Sequence, residues 1–465
     1  MSGRAIIVID IGKTASKLTL WTRDGVVLDR RARANAADGA SLDVAGIEAW
    51  LAATLTEFAR QADVGAIIPA AHGAAAAIMR QNGEIWGPID YERGISTEIM
   101  GQYGAMRDPF AHTGSPCLPN GLNLGAQLFA LELEHPEALA GPSQILLWPQ
   151  YWAWRLSGVA ASEVTSLGCH SDLWAPAHAT ASTLATARGW AARLPPLRRA
   201  GEALGPITPD WAARTGLPAD TQIYCGLHDS NAALVAARGF PALADGDATV
   251  LSTGTWFVAM RVPKAGEIVD IDTLPETRDC LVNVAADGAL IPSARFMGGR
   301  ELDILTDGVG RVDDTTDQTA LLAAAADAVA AGCMALPSFV PSVGPFPRGA
   351  GRWINPPVDA ARRRAAACLY AALVADVGLD LIGARGVILI EGRFARAELF
   401  VRALAALRPD DAVYVPNDDV DVSFGALRLL EPALKPAGAL TRVTPLAVSL
   451  SGYKRDWRVA AETQI

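Results

Sequence analysis

The chain has 465 residues, of which 51% are hydrophobic and 19% charged, and its formal net charge is −10. This length suggests two or three domains of roughly 150 residues each, and the composition is that of a globular protein. The acidic balance and the shortness of the basic runs argue against nucleic-acid binding. The six cysteines form no C-x-x-C pair and no metal-ligand spacing with histidine, which indicates small core residues in a reducing compartment.

Neither the N-terminal apolar run nor the longest apolar stretch of the chain indicates a membrane segment. The apolar run at residues 5–9 is far too short for a signal peptide and leads directly into Asp10. The longest apolar stretch, residues 320–341, is interrupted by Asp327 and Gly332. We therefore expect a cytoplasmic protein without a membrane partner.

Short β-branched runs alternate with helical patterns, which is typical of an α/β architecture. In the first half we predict strands at residues 5–9, 17–21, 65–69 and 221–225. We predict helices there at residues 41–60, 144–157 and 231–237, with Pro149 expected to delay the start of the second. No repeat of solenoid length is apparent.

A Gly-, Pro- and Asp-rich boundary at residues 239–247 precedes the second half. There we predict strands at residues 249–252, 256–260, 387–390 and 412–416. We predict helices at residues 315–331, 361–382, 397–407 and 423–430, with a polar Arg362–Arg364 face on the second. Residues 449–465 carry no pattern that we can assign. The two similar strand–turn–strand units suggest two halves with a shared plan.

The first predicted strand carries a carboxylate to its tip and continues into a glycine-containing turn, Asp10–Ile11–Gly12–Lys13–Thr14. Glycine lets the amides of such a turn approach an anion closely, and an aspartate there can hold Mg²⁺ directly or through water. An ordinary hairpin turn is the competing interpretation. The sequence is not a Walker A loop.

Two further segments point to phosphate chemistry. Ser252–Thr253–Gly254–Thr255 is a common kind of turn, but a triphosphate held by two domains needs a loop from each. Gly226–Leu227–His228–Asp229 places a carboxylate between a strand and a helix, where it is suited to act as a general base in phosphoryl transfer. On local sequence alone, a helix N-cap is an equally good interpretation of Asp229.

The order D-I-G-K-T, G-L-H-D, S-T-G-T and Glu391–Gly392–Arg393 resembles the FGGY carbohydrate kinases, of the actin, hexokinase and heat-shock-chaperone ATPase superfamily. The resemblance extends over nearly the whole chain. It implies an α/β fold of two actin-like (ribonuclease H-like) domains, with mixed sheets flanked by helices and a deep interdomain cleft. Residues 1–238 would carry the sugar side and the first phosphate loop, and residues 239–465 the nucleotide side.

The resemblance also implies ATP-dependent phosphorylation of a ketose or polyol hydroxyl, with ATP and Mg²⁺ as cofactors. Asp229 would be the catalytic base, and Asp10 would lie on the Mg²⁺ side. The residues around the nucleotide would be Asp10, Gly12, Lys13, Thr14, Thr253, Gly254, Thr255, Gly392 and Arg393. Those around the sugar would be His72, Gly73, Asp90, Tyr91, Glu92, Asn123 and His228.

Two segments depart from the family pattern. Glu391 stands where the adenosine loop usually has its first glycine, and Ile89–Asp90–Tyr91–Glu92 replaces a Trp-Asp-x-Arg sugar segment. The usual glycerol or xylulose assignments therefore do not transfer, and details near Trp256 and Leu124 look more like the rhamnulose and fuculose kinases. The alternatives are a catalytically altered regulatory protein of the same fold and another ATPase of the superfamily. The sequence leaves the sugar, the preferred donor and the oligomeric state open, with a homodimer among the candidates.

Overall fold

The computed structural model describes residues 3–35, 42–244, 246–418 and 421–463. In these ranges the strands are β1 Ala5–Ile11, β2 Ala15–Trp21, β3 Val27–Ala34, β4 Val64–Ala71, β5 Ala76–Arg80, β6 Ile85–Trp86, β7 Ser143–Leu147, β8 Trp174–Ala175, β9 Thr180–Ala181, β10 Ala203–Pro206, β11 Gln222–Tyr224, β12 Leu227–His228, β13 Ala248–Thr253, β14 Phe257–Val262, β15 Cys280–Val284, β16 Leu290–Phe296, β17 Met334–Leu336, β18 Arg352–Ile354, β19 Val387–Gly392, β20 Ala412–Pro416 and β21 Leu440–Arg442. The helices are α1 Val44–Gln61, α2 Thr97–Met106, α3 Phe110–Thr113, α4 Leu124–Glu134, α5 Trp148–Ser157, α6 Val164–Leu167, α7 Thr183–Ala187, α8 Pro209–Thr215, α9 Asp229–Ala237, α10 Pro241–Ala244, α11 Gly298–Leu305, α12 Gln318–Ala330, α13 Ala360–Leu381, α14 Glu398–Leu407, α15 Val422–Leu430 and α16 Ser451–Glu462.

The chain divides into two compact units, each built from several segments. The first unit consists of Met1–Gly239, Val282–Leu290 and Asp421–Lys435. The second consists of Phe240–Leu281, Ile291–Val420 and Pro436–Ile465. Two segments from the second half of the chain thus belong to the first unit, which a single division after residue 238 does not describe.

The first unit is built on a mixed sheet in the order β10-β11-β4-β1-β2-β3, with β12 also beside β4. The β1–β2, β2–β3 and β10–β11 pairs are antiparallel, and β4 runs parallel to β1, β11 and β12. Every residue of the central strand β1 is buried, as its apolar sequence requires. Because β1, β4 and β12 are parallel, their carboxyl ends meet at one edge of the sheet.

The second unit repeats this plan. Its sheet has the order β15-β16-β14-β13-β19-β20-β21. The β13–β14, β14–β16 and β20–β21 pairs are antiparallel, and the β13–β19 and β19–β20 pairs are parallel. The expected α/β fold with two similarly built halves is confirmed. In each sheet, two consecutive antiparallel pairs adjoin two consecutive parallel pairs, and one more antiparallel strand, β10 or β21, follows at the edge.

Helices bury apolar faces around both sheets. In α1 the buried face contains Ile47, Leu51, Leu55 and Phe58, at the spacing of successive helical turns. The long helix α13 is buried over most of its length, and this includes Arg364, which was expected on a polar face but binds Asp317 at 2.9 Å. No helix in the described part of the chain is both long and apolar enough to cross a membrane.

The predicted elements are largely present, and the differences have local causes. Residues 144–157 form β7 followed by α5, and Pro149 occupies the first turn of that helix, where its missing N–H costs nothing. The sequence analysis did not predict β3 or α16. The predicted start of the first helix at Ser41 lies outside the described residues, and the helix begins at Val44.

Candidate functional site

The turn after β1 is closed by backbone hydrogen bonds and by one side chain that the sequence analysis did not single out. Gly12 donates its N–H to the Ala15 carbonyl at 3.0 Å. Asn35, directly after β3, donates its side-chain amide to the Gly12 carbonyl at 2.8 Å and its backbone N–H to the Thr14 carbonyl at 2.9 Å. The turn therefore has a fixed shape, and Thr14 is exposed on it.

Asp10 and Asp229 bring two carboxyl groups into one neighbourhood. Asp10 is the penultimate residue of β1 and is buried. Burial raises the pKa of Asp10 to about 7, and the negative charge of Asp229 raises it further than burial alone would. Two carboxyl groups that repel each other form an environment that a divalent cation would stabilise.

Asp229 is the first residue of α9, and His228 occupies the N-cap position. The Asp229 side chain keeps 27% of its surface exposed, and its Oδ1 atom accepts the N–H of Ser230 at 2.6 Å. The N-cap interpretation of Asp229 is therefore wrong. The carboxylate instead lies in the first turn of α9, at the positive end of the helix dipole.

His228 packs beside Asp229 in a buried position. Its Nε2 atom lies 3.2 Å from Asp229 Oδ1 and 3.4 Å from the Cys169 thiol, and its Nδ1 atom lies 3.3 Å from the Asn231 side-chain amide. Burial lowers the pKa of His228, so the ring is neutral near pH 7. These contacts make His228 a support for the Asp229 carboxylate.

Glu163 and Thr165 fix the backbone that leads into Asp229. The buried Glu163 Oε2 atom accepts hydrogen bonds from the backbone N–H groups of Thr165 and Ser166, at 3.0 and 3.1 Å, and from the Thr165 hydroxyl. Thr165 Oγ1 in turn accepts the N–H of His228 at 3.0 Å. Burial raises the pKa of Glu163 to about 7. The sequence contained this E-x-T segment but gave no sign of its contact with residue 228.

Lys13 is bound to the predicted sugar segment. Its ammonium group forms an ion pair with the buried carboxylate of Asp90, lies 3.5 Å from a Glu92 carboxylate oxygen and sits 4.9 Å from the centre of the Tyr91 ring. Lys13 was expected beside the terminal phosphates. In this structure its charge is taken up by Asp90, so the segment 90–92 and the turn after β1 are joined.

His72 lies next to Tyr91, with 5.7 Å between the ring centres. It is buried, and neither ring nitrogen has a hydrogen-bond partner among the described residues. Burial lowers the pKa of His72 to about 4, so the ring is neutral. A neutral imidazole with two unused nitrogens can both donate to and accept from a hydroxyl group. At Gly73 a Cβ atom would lie 2.5 Å from the Cys169 thiol, so only glycine fits there.

Asn123 has a different environment from the other predicted sugar residues. It is fully buried, and its side-chain amide donates to Ser115 Oγ and to the carbonyls of Pro116 and His170, each at 3.0 Å. Its side-chain oxygen accepts the N–H of Leu118 at 2.8 Å. These bonds use both N–H groups of the Asn123 side-chain amide and one lone pair of its oxygen, so Asn123 braces a loop.

In the second unit, the end of β13 is fastened to the end of β19. The buried Thr253 hydroxyl donates to the Glu391 carbonyl and accepts the N–H of Phe394 at 3.0 Å. Ser252 donates its hydroxyl to the Glu391 carboxylate, which is also buried. The glutamate that departs from the family's glycine thus has a structural partner on β13.

The turn after β13 is tight and partly exposed. Gly254 donates its N–H to the Trp256 carbonyl at 2.9 Å, and Thr255 is exposed. Gly392 has φ = 81° and is exposed, and a Cβ atom there would lie 2.4 Å from the Thr253 carbonyl. Of the residues predicted around the nucleotide in the second unit, Thr255, Gly392 and Arg393 are exposed and Gly254 is partly exposed, whereas the Thr253 side chain is used internally.

A groove of about 660 Å³ lies beside Gly392. Arg393 lines it and forms two hydrogen bonds to the Asp313 carboxylate, Nε to Oδ2 at 2.9 Å and Nη2 to Oδ1 at 3.1 Å. Arg311 binds the same carboxylate, with Nε 3.1 Å from Oδ1. Burial of Asp313 opposes ionisation, but the hydrogen bonds from Arg311 and Arg393 outweigh it and lower the pKa of Asp313. No sequence motif pointed to Asp313.

The described residues contain no group of three or more His, Cys, Asp or Glu side chains arranged around a metal site. A cation beside Asp10 would therefore take most of its ligands from water and substrate, as Mg²⁺ commonly does. The buried carboxyl of Asp10, destabilised by Asp229, fits such an ion.

Comparison with known proteins agrees with this geometry. Residues 245–437 match the family described as carbohydrate kinase FGGY, C-terminal domain. A carbohydrate kinase from Novosphingobium aromaticivorans is 52% identical in sequence, with 100% of this chain and 99% of that chain covered and a TM-score of 0.94. The protein is thus a carbohydrate kinase, which transfers a phosphoryl group to an alcohol acceptor. The chain belongs to the FGGY family, whose members use ATP and a small sugar substrate.

More distant structures share the fold. A gluconate kinase from Lactobacillus acidophilus has a TM-score of 0.83 at 14% identity, over 99% of this chain and 97% of that chain. A Plasmodium falciparum glycerol kinase with ADP has a TM-score of 0.81 at 13% identity, over 99% and 98% of the two chains. No curated protein matches this chain. The two-part actin-like fold is therefore established, whereas the sugar has to be inferred from the site.

Proposed function

We propose that the protein transfers the terminal phosphoryl group of ATP to a hydroxyl of a ketose or polyol, with Asp229 as the general base. The observation that carries this proposal is the placement of Asp229. Its carboxylate is partly exposed at the start of α9, next to the buried Asp10 at the end of β1.

Phosphoryl transfer needs alignment, charge neutralisation and a group to accept the hydroxyl proton. Asp229 supplies the last of these, since a carboxylate within reach of the attacking hydroxyl can take its proton as the new bond to phosphorus forms. His228 contacts the Asp229 carboxylate directly, and Glu163 and Thr165 fix the backbone before it. These three residues hold the base in place.

Asp10 would hold Mg²⁺, directly or through water. The bound ion supplies positive charge to the donor phosphates. Displacement of a proton from Asp10, whose pKa is about 7, accompanies binding of the cation. The turn Gly12–Lys13–Thr14 in the first unit, and Gly254, Thr255, Gly392 and Arg393 in the second, are proposed to lie around the nucleotide.

The charges around the proposed sugar residues favour a neutral acceptor. Asp90, Glu92 and Asp229 are acidic, and the nearby Lys13 is already paired with Asp90. His72 and His228 are neutral, because burial lowers the pKa of both. A sugar acid would bring its carboxylate among these acidic side chains, whereas hydroxyl groups can bond to His72, Tyr91 and Asp229 at no such cost.

The test is ADP release from Mg-ATP with a panel of neutral ketoses and polyols, and with sugar acids as a separate set. We expect turnover with a neutral sugar, and a decrease of about 10²–10⁴-fold in kcat for Asp229→Asn. Asp210→Asn, an exposed aspartate on α8 in the same unit, is the matched control and should leave kcat unchanged. Full activity of Asp229→Asn would refute its role as base, and binding of sugar and ATP without turnover would favour the regulatory alternative.

A further inference from the structure

We infer that the guanidinium group of Arg393 is a stacking platform for the base of the bound nucleotide, and that Asp313 is the positioning residue that holds this platform in place. The inference rests on the proposed placement of the nucleotide in the second unit. It goes beyond that placement by naming the group that recognises the base and the residue that orients it.

The first observation is that the plane of the guanidinium is fixed. Two of its nitrogens, Nε and Nη2, donate to the two oxygens of Asp313 at 2.9 and 3.1 Å. A two-point bond of this kind lies in the plane of both groups, so it determines the orientation of the guanidinium as well as its position. Asp313 is itself held by Arg311 and has only 6% of its side chain exposed.

The second observation is that one face of the guanidinium is covered. The Arg393 Cζ atom lies 4.7 Å from the centre of the Phe394 ring. Phe394 is buried, and its N–H is bonded to the Thr253 hydroxyl at 3.0 Å, so the ring cannot move away easily. Arg393 nevertheless keeps 38% of its side chain exposed and lines the groove beside Gly392.

These observations distinguish a base from a phosphate as the partner. A phosphate binds the donor edge of an arginine, and here the edge formed by Nε and Nη2 is used by Asp313. The flat face of a guanidinium binds the flat face of an aromatic base by stacking and cation–π attraction. With one side on Phe394 and the Nε–Nη2 edge on Asp313, the exposed face of the guanidinium is suited to a nucleobase.

Asp313 stays ionised over the working pH range, because the hydrogen bonds from Arg311 and Arg393 lower its pKa despite burial. Asp313 therefore keeps its hydrogen bonds to Arg393 whether or not a ligand is present. The platform is formed in the free protein, and ligand binding does not have to order a long side chain.

The experiment is calorimetric titration of the full-length protein with ADP. We expect Arg393→Lys to weaken ADP binding about tenfold, as strongly as Arg393→Ala, because lysine keeps the charge but has no planar face. Arg352→Lys, an exposed arginine on β18 in the same unit, is the matched control and should not change ADP binding. Inorganic tripolyphosphate should bind wild type and Arg393→Lys equally.

For Asp313, the expected result is a split between kinetic constants. Asp313→Asn should raise the KM for ATP several-fold and leave the KM for the sugar unchanged, and it should reduce the preference for ATP over CTP, because a pyrimidine stacks less extensively. A variant that only damaged the fold would affect both substrates. Retention of wild-type ADP affinity by Arg393→Lys, or an equal loss for ADP and tripolyphosphate, would overturn the inference. Failure of the wild type to bind ADP would instead refute the proposed donor site.

Discussion

The ammonium group of Lys13 is bound by the carboxylate of Asp90, although the two residues are 77 positions apart in the chain. The side chain of Lys13 is 14% exposed and that of Asp90 4%, so the pair is largely shielded from solvent. Lys13 lies in the turn that follows Asp10, the aspartate proposed to hold Mg²⁺, and Asp90 lies in the predicted sugar segment. A substitution of Lys13 will therefore affect the predicted sugar segment, and a substitution of Asp90 will affect the turn after β1.

We predict that Lys13→Met raises the KM for the sugar more than the KM for ATP. Removal of the lysine leaves Asp90 buried without its partner, which destabilises the sugar segment. Steady-state kinetics with each substrate varied in turn would test this. A double-mutant cycle with Asp90→Asn should give a coupling free energy of about 1–3 kcal/mol. An increase confined to the KM for ATP would show instead that Lys13 acts on the phosphates.

We predict that Asp10 destabilises the cation-free protein as the pH rises. Its pKa is about 7 in the fold, against an ordinary value of 3.8. The folded state therefore holds the extra proton between about pH 4 and 7, and this contribution to stability is lost as the pH rises through that window. Asp10→Asn should be more stable than wild type at pH 8, by on the order of 1–4 kcal/mol, and nearly equal at pH 4.

Thermal unfolding in EDTA at several pH values would measure the difference between the two proteins. Addition of Mg²⁺ at pH 8 should stabilise the wild type and have a smaller effect on Asp10→Asn, because the variant lacks the carboxylate that binds the ion. A difference in stability between wild type and Asp10→Asn that does not vary with pH would contradict the raised pKa of Asp10.

Thr165 is predicted to act on catalysis through the backbone of residue 228. Thr165→Ala removes the hydroxyl that accepts the His228 N–H and donates to Glu163. We expect a loss of stability of about 1–3 kcal/mol and a lower kcat with little change in either KM, since the base is displaced but the substrates still bind. Thr165→Ser keeps the hydroxyl and should restore kcat. Equal kinetics for the two variants would exclude this role.

Gly425 is predicted to be essential for the position of α9. A Cβ atom at Gly425, on α15, would lie 1.7 Å from the carbonyl of Ala232 on α9. Gly425→Ala should therefore separate the two helices and lower both Tm and kcat, because Asp229 begins α9. Gly104→Ala, on the exposed side of α2 with open space around it, is the matched control and should keep or raise Tm.

Sequence patterns identified the elements that carry their own signal. The apolar runs of β1 and β4 and the helical periods of α1 and α14 were predicted to within a few residues, and both strand–turn–strand units were found. The edge strand β3 was missed because its exposed residues, rich in arginine, show no apolar alternation. Helix α16 was missed because it buries only Tyr453, Trp457 and Ala461, a stripe too narrow to stand out in a polar segment.

In the candidate site, too, the residues within a clear sequence pattern were predicted and the others were not. The sequence indicated Asp10 and Asp229 because each follows a strand within a recognisable motif. It did not reveal Asn35, Glu163 or Asp313, whose importance lies in contacts with residues far away in the chain. A motif gives the position of a side chain but not its partners, and the hydrogen bonds of Asn123 within its own loop could not be read from the sequence. The cytoplasmic location and the homodimer remain predictions.

The first unit is assembled from three separate segments of the chain, and this has a consequence for its folding during synthesis. Its helix α15 packs on α9, Trp21 donates to Ser423 at 3.2 Å, and Arg30 pairs with Asp421. The segment that makes these contacts, Asp421–Lys435, comes after Phe240–Leu281 and Ile291–Val420 of the second unit in the chain. The strands and helices of Met1–Gly239 therefore remain incompletely packed while those two segments of the second unit are translated. Helix α9, which begins with Asp229, therefore gains its contact with α15 only after both of those segments have been made.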